Sequence, residues 1–512
     1  MGFLDDNLLT LILFSPSVAA VIVMLLPADR PGLLRRVAFG LSLIPLALSV
    51  YLWLRFVPGQ PGYQFVQSVP WYEAVRSSYH VGVDGISVPM VLLTTLLIPL
   101  GLLISWRIDD KVRGYLALFL FLETGMLGVF LSLDLLLFFV FWEIGLVPMY
   151  FLINQWGSAN RGYASMKFII YTMAGSLGLL LAIQVIGLTM GTFDLVEITA
   201  GWPAFTQPLT VAGLAVTVPI ETVKAVAFWA FVIAFAIKVP VWPFHTWLPD
   251  AHTEAPTAGS MILAGVLLKL GAYGFLRLVL PLYPNEAQAF AGVLGGLAVL
   301  AIVLGAFGSW GQSDFKRLVA YSSVNHMGFV VLGVAAAARA VGTLSAADGV
   351  TAVNGAVLQM FNHGLSAAGM FLLVGVLYDR THTRDLGAFG GLFPLAPVYG
   401  GILIFTAMAS LGLPGLNGFV SEYMVVQGSW PIFTAYTALA MIGLLITGAY
   451  ILKAIGKVLH GPLNEAWKGH ALEIDRREIA AIAPLMVLIL GIGVWPMWIL
   501  NVIGPTVARL FG

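Results

Sequence analysis

The chain consists of apolar runs of about 20 residues separated by short polar connectors. A helix of roughly 20 apolar residues is long enough to cross the hydrocarbon core of a bilayer. The pattern therefore predicts an all-α integral membrane protein with about 14 transmembrane helices. The expected spans are 8–26, 37–57, 82–105, 113–132, 134–153, 164–190, 224–247, 256–280, 286–308, 315–337, 351–378, 393–427, 430–453 and 480–507. Spans 4 and 5 nearly touch, so Ser132-Leu133-Asp134 is expected to be a tight reversal.

Composition supports a membrane protein and excludes several classes of site. Of the 512 residues, 59% are hydrophobic and only 10% are charged, whereas soluble domains carry about 25% charged residues. The formal net charge is zero, so nothing favours nucleic acid as a partner. The absence of cysteine excludes disulfides, iron–sulfur clusters and thiolate metal sites in this sequence.

Basic residues in the connectors predict the orientation of the chain. Inner loops of membrane proteins carry more Lys and Arg than outer loops. With both termini outside, the inner loops hold 17 Lys and Arg and the outer loops hold 6, while two Lys fall within spans. We therefore expect an even number of spans, with both termini on the outer (periplasmic) side of a cell inner (plasma) membrane.

Two spans contain helix-breaking sequences and suggest a repeat. Span 7 carries Pro240 and Pro243, and span 12 is interrupted at 411–418, which is rich in Gly and Pro. Paired broken helices are typical of inverted-repeat transporters. Glu143 precedes Lys238 by 95 residues and His326 precedes Glu422 by 96, which fits two five-helix units. The expected divisions are an N-terminal three-helix part (1–112), a first repeat (113–280), a second, inverted repeat (286–460) and a C-terminal loop and helix (461–512).

Five ionisable side chains are expected deep inside spans: Glu143, Lys238, Lys269, His326 and Glu422. Such residues cost about 2.5–3.5 kcal/mol each to insert and commonly mark ion or proton pathways. Glu143 lies about nine residues into its span, roughly 14 Å deep, and each lysine lies roughly 20 Å from the start of its span. Groups that enter from opposite sides and stop at similar depth predict a row in the plane of the membrane.

Each candidate also has a structural explanation. Glu143 and Lys238 could form a static ion pair that holds two helices together. His326 and His363 could hydrogen-bond between helices, and Glu123 could lie at a helix interface.

Other positions leave similar alternatives open. Lys269 has no neighbouring acid in sequence, and it could be a structural lysine whose hydrogen bonds are satisfied. His245 and His252 flank the inner loop after Lys238, where they would be loop residues at a proton entrance. They lack the compact third ligand that a metal site would need.

The residue types suit proton transfer. Burial favours the neutral amine of a lysine and a nearby carboxylate favours the ammonium, so movement of the carboxylate would load or release a proton. Carbonyls freed around Pro240 could accept a hydrogen bond from the Lys238 ammonium. Histidine can relay protons near neutral pH. Glu422, beside a glycine-rich break, could pass a proton to the outer side.

Several long motifs resemble one known family, the antiporter-like membrane subunits of respiratory complex I, an NADH:quinone oxidoreductase. They occur in family order along nearly the whole chain. The matching stretches are Phe141-Trp-Glu143-Ile-Gly-Leu-Val-Pro148, the segment 237–259 around Lys238-Val-Pro and His245-Thr-Trp-Leu-Pro-Asp250-Ala-His252, Leu267-Leu-Lys269-Leu-Gly, Tyr321-Ser-Ser-Val-Asn-His326, Phe361-Asn-His363-Gly and Gly418-Phe-Val-Ser-Glu422.

The resemblance implies a fold, a function and a set of partners. It implies fourteen spans with two inverted five-helix repeats and broken helices 7 and 12, and one proton channel per subunit. Within it, Glu143, Lys238, Lys269, His326, His363 and Glu422 would transfer protons. An acid at Glu422 resembles the M type, because the L and N types usually carry lysine there. The chain would bind no cofactor. FMN, iron–sulfur clusters and quinone would belong to partner subunits, with L-type and N-type subunits as membrane neighbours.

Three functions are weighed on this basis. The first is a proton-translocating subunit of NADH:quinone oxidoreductase, driven by electron transfer in its partners. The second is a subunit of a multisubunit Na⁺/H⁺ antiporter or membrane-bound hydrogenase, or a self-sufficient cation exchanger. The third is a structural subunit without a channel. Buried lysines argue against the third function and, because they repel Na⁺, disfavour a cation site beside them.

Overall fold

A computed structural model describes residues 2–211 and 216–511. Thirteen helices in these ranges are long and apolar enough to cross a membrane. The first seven spans comprise α1 (Phe3–Leu25), α2 (Pro31–Arg55), α3 (Ser87–Ile104), α4 (Val112–Leu131), the pair α5 (Leu135–Ile144) and α6 (Leu146–Trp156), α7 (Arg161–Met190), and, after the short helix α8 (Leu195–Gly201), the pair α9 (Ile220–Lys238) and α10 (Trp247–Glu254).

The remaining spans complete the predicted fourteen. Span 8 is one continuous rod of α11 (Thr257–Ile262), a π-helical turn (Leu263–Leu267), α12 (Leu268–Gly274), a second π-helical turn (Phe275–Val279) and α13 (Leu280–Leu282). It is followed by α14 (Pro284–Trp310), α15 (Phe315–Ala340), α16 (Ala346–Thr381), α17 (Pro397–Leu411), α18 (Asn417–Ser429), α19 (Thr434–Leu459), α20 (Arg476–Val494) and α21 (Met497–Phe511).

A β-hairpin between spans 2 and 3 was not expected from the sequence. Strands β1 (Gln64–Tyr72) and β2 (Ser77–Val83) pair antiparallel, and a second short pair joins β3 (Leu209–Val211) to β4 (Val216–Val218). The predicted start of span 3 at residue 82 is therefore wrong, because Gly82 belongs to β2 and the helix begins at Ser87. The side of the protein that carries β1 and β2 is called the hairpin face below, and the other side is called the opposite face.

The reversal at Ser132-Leu133-Asp134 is confirmed and lies on the hairpin face. Leu133 N–H donates to the His80 carbonyl (2.8 Å). The Asp134 carboxylate accepts from the backbone N–H groups of Leu136 and Leu137, at 2.9 and 3.0 Å, and so caps α5.

The predicted breaks in spans 7 and 12 are confirmed. Helix α9 ends at Lys238, and helical structure resumes only at Trp247. Span 12 crosses as two half-helices, α17 and α18, joined through Gly412 and Gly415 at φ +84° and +92°, values that favour glycine. Because span 11 ends on the opposite face and span 13 begins on the hairpin face, α17 and α18 together make the fourteenth crossing.

The C-terminal span is shorter than predicted. The expected helix 480–507 is wrong beyond Val494, where α20 ends. Pro496 has no backbone N–H to continue the helix, and a separate helix, α21, follows. This last helix lies along the hairpin face, where the Arg509 guanidinium donates to the Gln60 carbonyl at 2.9 Å.

The two five-helix units run in opposite senses. Helix α4 starts on the opposite face, whereas α14 starts on the hairpin face, so the second unit is inverted relative to the first. Spans 8 and 11 are completely buried in their most apolar stretches, while spans 2 and 14 are only 28% and 33% buried. The charged candidates on spans 8 and 11 therefore lie in the protein interior, with apolar outer helices between them and lipid.

Candidate proton-transfer site

Lys269 and His363 form a buried hydrogen-bonded pair between spans 8 and 11. Lys269 is fully buried in α12, between the two π-helical turns, and its Nζ lies 2.7 Å from His363 Nδ1. The ammonium also donates to the carbonyl of Ala264, which belongs to the first π-helical turn. The first π-helical turn, which the sequence did not predict, thus supplies a carbonyl that holds the Lys269 ammonium next to His363.

His326 and Glu422 form a second buried pair between α15 and α18. His326 Nδ1 lies 2.7 Å from Glu422 Oε1, and the two side chains are only 5% and 4% exposed. Gln359 Nε2 donates to the same carboxylate oxygen at 3.0 Å. On the far side of the imidazole, the Tyr450 hydroxyl lies 3.3 Å from Nε2. These contacts fix the imidazole ring between an acid and a phenol.

The two pairs meet at their histidines. The rings of His326 and His363 are tilted by 42°, with centroids 5.7 Å apart. Lys269, His363, His326 and Glu422 therefore form one buried row across four helices, with a hydrogen-bonded pair at each end and a contact between the two imidazole rings in the middle. A proton could move along this row by hydrogen-bond steps of about 3 Å and a single change of imidazole partner.

Lys238 occupies the end of helix α9, beside an aromatic ring. It is 2% exposed, and its ammonium lies 4.7 Å from the centroid of the Trp142 ring, a cation–π contact. Its Nζ has no hydrogen-bond partner within residues 2–211 and 216–511. The expected contact with freed carbonyls is wrong, because Ala236 O accepts from Val241 N–H (2.7 Å) and Ile237 O accepts from Trp247 Nε1–H (2.8 Å).

Glu143 lies beside Lys238 but does not contact it. It precedes the interruption of span 5 at Gly145, where Gly125 of α4 approaches so closely that a Cβ there would lie 2.7 Å from the Gly145 nitrogen. Glu143 is within electrostatic reach of Lys238, yet the two form no ion pair within 4.0 Å. One carboxylate oxygen, Oε1, is buried without a hydrogen-bond partner among the described residues. The static ion pair weighed above is therefore absent between these two side chains.

Lys238 approaches the row of Lys269, His363, His326 and Glu422 through a contact between helices, not through a hydrogen bond. Gly271, half a turn beyond Lys269, packs against span 7 so tightly that a Cβ there would lie 3.0 Å from the Lys238 Cβ. Gly271 thus makes a close contact between α9 and α12, whereas the Lys269 side chain, two residues earlier, contacts His363 of span 11. No hydrogen bond joins Lys238 to Lys269 among the described residues, since Lys238 Nζ has no partner there.

The structure alters the expectation for one neighbouring residue, His252, and places two others, His245 and Glu123. His252 is not a loop residue: it lies in α10, is fully buried and stacks on Phe371 at 4.4 Å. The tertiary contact with span 11 buries it. His245 does lie in the non-helical segment after Lys238, half-buried. Glu123 is fully buried in α4, and neither of its carboxylate oxygens has a partner in the described part of the chain.

Several side chains that complete the site were not singled out from the sequence. Gln359, Tyr450 and Trp142 contact Glu422, His326 and Lys238 respectively. Polar residues inside apolar spans are a usable signal for the first two, but nothing in the sequence aims them at a particular partner. In the described ranges, no group of three or more His, Cys, Asp or Glu could hold a metal ion.

Comparisons with known proteins agree on one family. Residues 132–447 match the family described as NADH:quinone oxidoreductase/Mrp antiporter, TM. The chain is 40% identical to the NADH-quinone oxidoreductase subunit M of Rhodobacter capsulatus, over 99% of this chain and 96% of that protein. The NADH-quinone oxidoreductase subunit M of Rickettsia conorii is 37% identical over 99% of both chains.

Solved structures show the same fold. A chain of respiratory complex I from Thermus thermophilus with bound NADH superposes with a TM-score of 0.84 at 28% identity, over 98% of this chain and 100% of that one. A chain of the Mrp complex from a Dietzia species is similar in fold alone, with a TM-score of 0.83 at 21% identity, over 100% of this chain and 98% of that one. The chain therefore belongs to the transmembrane family of NADH:quinone oxidoreductases and Mrp antiporters.

Proposed function

We propose that this chain is an M-type, proton-translocating membrane subunit of an NADH:quinone oxidoreductase. The observation that carries the proposal is the buried row from Lys269 through His363 and His326 to Glu422. A structural role alone would not need four ionisable groups side by side, because buried charges are seldom better than apolar packing. The names of the relatives at 36–40% identity support the host complex.

Each buried ionisable residue has its own role in the proposed proton transfer. Lys238 holds a proton beside Trp142, and Glu143 modulates its charge from nearby without a direct bond. Movement of Glu143 toward or away from Lys238 loads or releases that proton. Lys269 and the two histidines pass it along spans 8, 11 and 10, and Glu422 delivers it at the break of span 12. The Glu422 Oε2 atom, buried and unbonded among the described residues, lies next to that break, close to where a Cβ at Gly412 would stand (3.3 Å).

The membrane sides and the partners belong to the same proposal. The opposite face, which carries most of the Lys and Arg, is the inner side of a cell plasma membrane, and the hairpin face with both termini is the outer side. Residues 113–280 and 286–460 act as two inverted half-channels. L-type and N-type subunits adjoin the chain, and FMN, iron–sulfur clusters and quinone are held by partner subunits. Electron transfer in those partners drives the proton movement.

Replacement of the terminal carboxylate tests the proposal. Glu422→Gln keeps the shape and can still bond to His326, but Gln cannot carry the proton. The assembled complex should then oxidise NADH slowly and acidify vesicles far less per NADH than the unmodified complex. Glu473→Gln, a carboxylate outside the spans that bonds backbone N–H groups of α17, is the matched control. Normal proton uptake with Glu422→Gln would refute the role of the row.

The antiporter alternative predicts a different result in the same vesicles. A Na⁺/H⁺ exchanger would collapse an imposed Na⁺ gradient without NADH, and Glu422→Gln would abolish that exchange. A proton-translocating subunit shows no such Na⁺ dependence. The fold itself does not separate these functions, since the Mrp chain superposes as well as the complex I chain.

A further inference from the structure

Span 8 continues from Lys269 toward the hairpin face through two more buried polar side chains. Tyr273 and Arg277 follow at intervals of four residues, so they lie on the same side of the helix as Lys269. They are 1% and 3% exposed. Neither residue belongs to the proton row described above. Together they lie between Lys269 and the hairpin face.

Hydroxyl groups extend this path to the surface. The Tyr273 hydroxyl lies 3.1 Å from Ser87 Oγ and donates to the Phe130 carbonyl at 3.2 Å. Tyr63, in the segment before β1, lines an open cavity of about 590 Å³ on the hairpin face, together with Asp5 and Asp6. A chain of hydroxyls from Lys269 to this cavity would be a direct outlet, because hydroxyls both accept and donate protons.

Arg277 stands in the middle of that chain. Its Nε–H donates to the Tyr273 hydroxyl at 3.2 Å, and one Nη–H donates to the Tyr63 hydroxyl at 3.0 Å. A guanidinium has five N–H donors and no acceptor, and it does not deprotonate in proteins. It therefore cannot pass a proton from one hydroxyl to the other, and its positive charge repels a proton arriving from either side. Aquaporin-type pores use an arginine in a comparable way to exclude cations.

Asp84, in the turn between β2 and α3, holds the guanidinium in place. Its Oδ2 accepts from Arg277 at 2.6 Å, and both side chains are 3% exposed. Burial by itself would raise the pKa of Asp84, but the charge and hydrogen bond of Arg277, with the backbone N–H groups of Ser87 and Ile86, hold that pKa below its usual value. Asp84 thus stays ionised at neutral pH. It therefore does not take up a proton from Ser87, and a proton cannot bypass Arg277 through Asp84.

The turn around Asp84 is closed from outside by α21. Gly85 N–H donates to Thr506 Oγ1 at 3.1 Å, and a Cβ on Gly85 would lie 2.0 Å from the Val502 carbonyl oxygen. This close packing leaves no room for water between the turn and α21. Among the described residues, the hydrogen bonds that connect Tyr273 with Tyr63 and the surface cavity pass through the guanidinium.

We propose that Arg277, anchored by Asp84, is a proton barrier that closes the direct route from Lys269 to the hairpin face. The barrier forces protons to leave through Glu422, at the far end of the row, and so prevents a short circuit through span 8. The inference rests on the proposed role of Lys269 in proton transfer, and it adds a residue whose function is to block rather than to carry protons.

The test is the passive proton leak of the assembled complex in liposomes, without NADH. After a pH step, the Arg277→Gln variant should dissipate the gradient several-fold faster than the unmodified complex. Arg277→Lys keeps a cation that only donates hydrogen bonds, so this variant should dissipate the proton gradient no faster than the unmodified complex. Asp84→Asn removes the negative charge but keeps a side-chain oxygen that can accept from the guanidinium, so this variant should also hold its gradient. A purely structural ion pair predicts equal damage from Asp84→Asn and Arg277→Gln. Variants are compared only at equal content of assembled complex.

Second-site variants separate this inference from the proposed function. The leak of Arg277→Gln should persist with Glu422→Gln, which it bypasses, and should disappear with Lys269→Met. An assembled Arg277→Gln complex that holds its gradient as well as the unmodified one would overturn the barrier. A leak equal in Asp84→Asn and Arg277→Gln would overturn it as well. If the complex carrying Arg277→Gln does not assemble, the double variant Asp84→Asn with Arg277→Gln, which buries no unpaired charge, is tested instead. The same proton leak is expected. Normal pumping by Glu422→Gln would instead refute the row while leaving the leak result standing.

Discussion

His363 is the residue whose replacement tests the continuity of the row most directly. Its imidazole lies between Lys269 and His326, with Nδ1 2.7 Å from the ammonium and the ring centroid 5.7 Å from that of His326. Without that ring, the gap between Lys269 and His326 corresponds to two or three hydrogen-bond steps of ~3 Å each. His363→Leu fills the gap with hydrocarbon, whereas His363→Ala leaves space that water can occupy.

The size of the effect follows from the contact that is lost. A hydrogen bond to a charged group contributes about 1.5–3 kcal/mol. If that stabilisation is missing when the proton passes, each ~1.4 kcal/mol slows transfer tenfold, so His363→Leu should pump roughly 10 to 100 times more slowly. His363→Ala should be less affected. A water takes about 30 Å³ and needs two or more polar partners, which Lys269 and His326 supply.

The measurement is proton uptake per NADH oxidised in vesicles, corrected for the amount of assembled complex. His470→Leu, at an exposed loop position on the opposite face, controls for the loss of an imidazole in general. Proton uptake per NADH should be equal in the unmodified complex and His470→Leu, lower in His363→Ala, and lowest in His363→Leu. If His363→Leu pumps at more than half the unmodified rate, protons do not pass through His363, and the row is interrupted at that point.

Three further predictions address other parts of the chain. Glu143→Gln should reduce proton pumping strongly and Glu143→Asp should reduce it less, because the Glu143 carboxylate acts on span 7 through its charge and not through a direct bond. Equal NADH-driven proton uptake by the two variants would contradict this. Gly128→Ala should lower the midpoint of thermal unfolding, since its Cβ would lie 2.0 Å from the Phe141 ring, at a cost of about 1–3 kcal/mol, whereas Gly491→Ala meets nothing within 4 Å and should not. Asp84 has a lowered pKa in the folded protein, so it contributes stability above about pH 4, and that contribution is lost as pH falls further. Asp84→Asn should therefore be less stable than the unmodified protein at pH 7, and the difference between the two in unfolding midpoint should narrow in acid.

The helices and their breaks could largely be predicted from the sequence, for a physical reason. Lipid requires every backbone polar group to be bonded within its own helix, so apolar length alone marks the spans. Pro240 and the Gly–Pro cluster at 411–418 remove donors or favour positive φ, and helix breaks follow locally. The hairpin of β1 and β2 was not predicted from the sequence, because its strands lie in a connector and their pairing is interrupted by two register shifts.

The buried ionisable residues could also be predicted from the sequence, because a charged residue inside a long apolar run is easily recognised. Their partners were not. Lys269 meets His363 and His326 meets Glu422 across 94 and 96 residues, respectively, so these contacts depend on how whole helices rotate and pack. The same packing separates Glu143 from Lys238, which the sequence had suggested as a pair.

The sequence by itself determined the membrane fold, the number of crossings, the broken helices and the supply of buried acids, lysines and histidines. Only the tertiary structure decided which groups share hydrogen bonds, that His252 is buried against Phe371, and that Arg277 is clamped by Asp84. Local sequence fixes helix length and breaks through backbone bonding within a few residues. Side-chain partners on different helices are fixed by close packing over the whole chain, which no short stretch encodes.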